Sequence, residues 1–123
     1  MASADPKNTD PVLGVAMSHH NCGETFAKLG RAAEALAEFR RARPAYEAVV
    51  AASPSGAWAS GMLGTLLFDM AELKMASKSS EACELYRGAV SVFAPIAAKG
   101  RLPSKRHDQL ARAKERLAAC ERR

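Results

Sequence analysis

The chain has no apolar run approaching the roughly 18–20 residues of a membrane span, so no membrane partner is expected. Its opening, MASADPKNTD, has neither a basic start nor an apolar stretch and does not read as a secretory signal. β-Branched residues are few and nothing alternates at period two, which argues against strands. Cysteine is restricted to Cys22, Cys83 and Cys120, far apart in sequence. An odd count without an export signal predicts reduced thiols and a cytoplasmic protein, with each cysteine packed as a small hydrophobe in a helical core.

What is present is alanine, the best helix former, in a chain of 123 residues that fits one domain. The net charge of +5 is unevenly placed. From Lys99 onward nine basic residues face three acidic ones, so this segment carries +6 and the body before it −1.

The most informative feature is a pattern that occurs twice. EALAEFRRA, Glu34 to Ala42, is echoed by EACELYRGA, Glu81 to Ala89. Ala35 matches Ala82, Phe39 matches Tyr86 and Ala42 matches Ala89, and the register continues with Tyr46 on Phe93 and Val49 on Ile96. Small and aromatic residues alternating at spacings of four and three mark one face of a helix, and repetition at fixed spacing marks stacked units.

The breakers divide the chain into five helices. Residues 1–9 are small and polar and are expected to be disordered. Asp10-Pro11 starts helix one, whose apolar residues are Val12, Leu13, Val15, Ala16, Cys22, Phe26 and Leu29, and Gly30 ends it. Helix two begins near Arg31, is kinked or broken at Pro44, and stops before Ser53-Pro54-Ser55-Gly56. Helix three covers Ala57 to Ala76, with Trp58, Met62, Leu66, Met70 and Leu73 on one face; Ser77 to Ser80 forms a turn. Helix four runs to Ala98 with Pro95 inside, and Gly100 stops it. Helix five starts at Pro103 or Ser104 and carries a narrow stripe of Leu110, Ala113, Leu117 and Cys120 on an otherwise basic surface. The expected fold is all-α: hairpins over 10–52 and 57–99 and a capping helix over 103–122.

The hairpins resemble tetratricopeptide (TPR) repeats. In the first unit Gly23 takes the small contact position, Phe26 the aromatic one turn on, Gly30 the turn, and Ala35, Phe39 and Ala42 the small–aromatic–small signature. In the second unit Ala82, Tyr86 and Ala89 fit, but Leu63-Gly64 lies too far upstream and Ser77 replaces the turn glycine, so either helix three is longer by about two turns, the reading preferred here, or the glycine pair has lost its usual role. HHNCGETFAKLGRAAEALAEFRRA followed by EACELYRGAV is also similar to repeats in the carboxyl tails of bacterial eukaryotic-like serine/threonine kinases, although the chain has no glycine-rich nucleotide loop, HRD or DFG motif. The resemblance implies two hairpins of an α-α superhelix, helix five acting as a cap, with a concave groove lined by the first helix of each unit.

That groove supplies the candidate site. His20, Asn21, Glu24 and Lys28 form a polar strip on helix one, and Asn21 stands just before the glycine, where the family often grips a ligand backbone. Met62, Thr65 and Asp69 are the corresponding residues of helix three. His19, His20 and Cys22 do not read as a metal site, because neighbouring helical residues point about 100° apart and no second ligand pair follows. Neither Cys22 nor Cys83 has the base and orienting group a nucleophile needs. The expectation is a non-catalytic cytoplasmic scaffold or adaptor without cofactor, binding a protein or peptide and open to homodimerisation through helix one. The rival is a small basic nucleic-acid-binding protein using Lys105, Arg106, Arg112, Arg116 and Arg123; helix five has no aromatic stacking groups, which favours a solubilising cap.

Overall fold

A computed structural model describes residues 10–52, 57–76 and 80–121. The described residues form five α-helices and no strand: α1 (Asp10–Lys28), α2 (Ala32–Ala52), α3 (Ala57–Ala76), α4 (Glu81–Ala98) and α5 (Ser104–Glu121). The expected disorder of residues 1–9, the 53–56 breaker cluster and most of the 77–80 turn lie outside the described residues, as do Arg122 and Arg123. The chain divides into two compact units, residues 1–59 and 60–123.

Both glycine stops act through backbone geometry. Gly30 and Gly100 have φ of 78° and 69°, a left-handed conformation that glycine adopts without a Cβ penalty. Arg31 N–H reaches Phe26 O and Gly30 N–H reaches Ala27 O; Arg101, Ile96, Gly100 and Ala97 repeat the arrangement. These paired bonds satisfy carbonyls that a helix end otherwise leaves open.

In the first unit α1 and α2 pack in opposite senses. Ala35, Phe39, Ala42, Tyr46 and Val49 are the buried face of α2. Gly23 on α1 lies so close to Phe39 that a Cβ there would stand 2.4 Å from the ring. Of the kink or break expected at Pro44, the break does not occur, and α2 continues through it. Pro44 is exposed, so water can meet the carbonyl its missing N–H leaves unbonded.

The buried stripe of α1 differs from the expected one. It runs through Ala16, His20 and Gly23, flanked by half-buried Leu13, Met17, Phe26 and Ala27. Val12, Val15, Cys22 and Leu29 are exposed, which corrects the reading of Cys22 as core. Cys22 is turned one position, about 100°, from the glycine that faces α2.

In the second unit α4 buries Ala82, Leu85, Tyr86, Ala89, Phe93 and Ile96. The matched apolar positions of the duplicated pattern are thus buried in both α2 and α4, while the matched Glu34 and Glu81, and Arg40 and Arg87, are exposed. On α3, Leu63, Leu66, Leu67, Phe68, Met70 and Ala71 are buried; Met62 and Leu73 are half-buried, and Trp58, in the first turn, is exposed. Gly64 approaches Phe93 so closely that a Cβ would lie 2.6 Å from the ring. Gly64 stands about two turns farther from the end of its helix than Gly23 does, although α3, at 20 residues against 19, is not two turns longer than α1 as a whole. α5 buries Leu110 and Ala113 and half-buries Leu117 and Cys120, the stripe expected for it.

The thiol expectation is overturned in this unit. Cys83, in the first turn of α4, is joined by a disulfide to Cys120 near the end of α5, with a Cα–Cα distance of 6.0 Å. The last turn of α5 comes back to the first turn of α4, a proximity that a sequence separation of 37 does not signal. The inference of a cytoplasmic protein, which rested on reduced cysteines, loses that support.

Candidate interaction site

The polar strip of α1 divides when its side chains are placed. Asn21, Glu24 and Lys28 are exposed. His20 is only 1% exposed, which removes it from the strip. Its Nδ1 is hydrogen-bonded to the Tyr46 hydroxyl at 2.9 Å, and its ring meets Phe39 and Tyr46 edge-on. The signal for this was available: counting back from Gly23 by three and seven gives His20 and Ala16, the stripe that faces α2.

His19 serves a different purpose. Its Nδ1 donates to Glu38 Oε1 at 2.8 Å, and Arg41 donates to the other oxygen at 3.0 Å. The hydrogen bond from His19, assisted by the charge of Arg41, holds the Glu38 carboxyl below the usual carboxylate range. His19 and His20 therefore turn to different partners on α2, and Cys22 faces outward.

On α3, Thr65 is half-buried and its hydroxyl donates to Gln109 Oε1 of α5 at 2.8 Å. This bond satisfies a group expected to meet a partner. Asp69 and Met62 are half-buried, and Met62 Sδ lies 3.0 Å from Arg106 Nη2. Arg106 Nε also donates to Gly61 O at 3.3 Å. Arg106, offered as part of a basic surface, is thus drawn into its own unit.

Sequence reasoning missed a group that gathers several partners in this unit. Glu72 of α3 accepts a 2.6 Å hydrogen bond from the Tyr86 hydroxyl, and Arg112 and Arg116 of α5 approach it at 3.6 and 3.7 Å. Burial, reinforced by the Glu72 carboxylate, pushes the Tyr86 phenol well above its ordinary value of 10. The signal was faint: a glutamate one turn after Phe68, on a helix apolar nearly all round. Two open clefts lie on α5 and its surroundings, one lined by Arg112, Glu115, Arg116 and Ala119, the other by Phe68, Lys105, Asp108, Gln109 and Arg112. None of these residues is a serine, cysteine or histidine; the chemistry offered is charge and hydrogen bonding.

No family model, curated protein or solved structure matches the chain. Among the described residues, no helix is long and apolar enough to cross a membrane.

Proposed function

We propose that the chain is a non-catalytic interaction module, built from two TPR-like helical hairpins closed by α5, that binds a peptide or protein partner. The observation that carries this reading is the division of α1. Ala16, His20 and Gly23 pack inward, while Asn21, Glu24 and Lys28 stand exposed on the same helix. A strip held on a rigid element loses little freedom on binding, and an amide followed by an acid and a base offers donors and acceptors to an extended chain. Asp69 on α3 is half-buried and is a second candidate, tested on its own. Thr65 enters only by exchanging its bond to Gln109. The inward use of Arg106 and the proximity of Arg112 and Arg116 to Glu72 favour α5 as a cap over α5 as a nucleic-acid surface.

The test is quantitative capture from an extract of the native cell with the wild-type chain and with Asn21→Ala/Lys28→Ala, and separately with Asp69→Asn. The α1 double variant should retain the wild-type circular dichroism and lose specific partners by about tenfold or more. Equal capture by wild type and the α1 variant would sink the reading of that strip. Tight binding of non-specific duplex that weakens steeply with salt would move the function to α5.

A further inference from the structure

We infer that the Cys83–Cys120 disulfide is a reversible latch: closed, it holds the C-terminal half of α5 on α4, and reduction by a dithiol frees that half while the rest of the unit stays folded. The inference does not depend on the interaction reading. It follows from how unevenly α5 is held.

The N-terminal half of α5 has its own anchors. Leu102, before the helix, is buried, as are Leu110 and Ala113. Gln109 accepts from Thr65, and Arg106 donates to Gly61 O. None of these contacts needs the disulfide. Beyond Ala113 the position reverses. No residue from Lys114 to Glu121 is buried; Leu117, Ala119 and Cys120 are half-buried and the others exposed. Among the described residues, Arg116 of this half stands 3.7 Å from Glu72 and near the Tyr86 hydroxyl, but its side chain is 45% exposed, a geometry that contributes little in water. An isolated end of two turns is marginal as a helix without packing. The covalent bond at Cys120 is therefore the strongest restraint on this segment, and it sits near the tip, where one bond limits fraying most.

Both cysteines are half-buried, so neither residue is closed off from solvent. The chemistry is ordinary thiol–disulfide exchange. One thiolate of a dithiol attacks one sulfur of the pair, forms a mixed disulfide and expels the other cysteine as thiolate. The second thiol of the reductant then closes its own disulfide and releases the remaining cysteine. One S–S bond breaks and one forms. The dithiol is oxidised by two electrons, and its two protons end on Cys83 and Cys120.

The experiment uses the full chain carrying Cys22→Ser, which removes the exposed thiol that could scramble the pair. Thiols are titrated and amide hydrogen exchange is mapped before and after treatment with dithiothreitol, and in Cys83→Ser/Cys120→Ser. Reduction should reveal two thiols and speed exchange over residues 114–121 by about tenfold or more, with changes below about twofold over 104–113 and in α1 to α4. The double serine variant should reproduce the reduced pattern. Two reactive thiols in protein purified without reductant would overturn the latch. So would unchanged exchange over 114–121 on reduction, or a rise that spreads through α3 and α4, which would make the bond a staple of the whole unit.

Discussion

The two helix pairs solve one packing problem with the same parts in reversed order. In α1–α2 the glycine meets the first aromatic of the pattern, Phe39, and the second, Tyr46, finds a polar partner in His20. In α3–α4 the glycine meets the second aromatic, Phe93, and the first, Tyr86, finds its polar partner in Glu72. In each pair a phenylalanine lies on bare backbone and a tyrosine hydroxyl is hydrogen-bonded to the facing helix. The exchange follows from length. In helices running in opposite senses, moving the glycine about two turns away from the connection moves its contact about two turns down the partner, which is the distance between the two aromatic positions. The lesson is that the glycine selects phenylalanine, while the tyrosine follows whatever polar side chain the first helix offers.

The largest expected effect tests whether the two phenylalanines are equivalent anchors. Phe39→Ala and Phe93→Ala should each cost about 3–5 kcal/mol in chemical denaturation, the usual range for a buried phenylalanine. A loss at one site less than half that at the other would end the equivalence. Next come Gly23→Ala and Gly64→Ala, whose added methyl groups would stand 2.4 and 2.6 Å from the rings. Overpacking of about 1–3 kcal/mol outweighs the gain of up to about 1 kcal/mol in helix propensity, so both should lower stability. If either variant proves more stable than wild type, close approach is not the reason for that glycine.

The smallest effect separates the tyrosines. Tyr86→Phe leaves Glu72 without its 2.6 Å donor, and Tyr46→Phe leaves His20 without its hydroxyl partner. We expect about 1–2 kcal/mol for the first, a bond to a carboxylate, and about 1 kcal/mol for the second. The pH dependence sharpens the contrast. The phenol of Tyr86 is raised in the folded state, so its contribution is complete below the ordinary value of 10 and is lost as pH rises above it. The fall in stability above about pH 10 should be shallower in Tyr86→Phe than in wild type. Parallel curves would place the alkaline loss elsewhere.

Much of this arrangement was legible in the sequence because it is written in periodicity. The spacing of Ala35, Phe39 and Ala42, and its copy at Ala82, Tyr86 and Ala89, located the buried faces of α2 and α4. Gly30 and Gly100 located the helix ends, since a left-handed residue there has few alternatives to glycine. What was not legible depends on partners distant in sequence. A histidine reads as polar until a tyrosine hydroxyl is placed against it, as with His20 and Tyr46. Cys83 and Cys120 read as two core thiols until α5 returns to the start of α4. In the candidate site, Asn21, Glu24 and Lys28 keep the exposure their pattern implied, whereas Thr65 is held by Gln109, a residue no local signal connects to it.

The reversed aromatic order gives the two second helices different requirements of the helix they face despite their shared pattern. Were α4 to dock on α1 with its repeat positions aligned, Tyr86 would bring its ring and hydroxyl over the bare backbone of Gly23, and Phe93 would leave His20 with a hydrocarbon where it has an oxygen. A chain carrying two copies of one motif is open to shuffled pairing as it folds, and the permutation sets a cost on the wrong match at both aromatic positions.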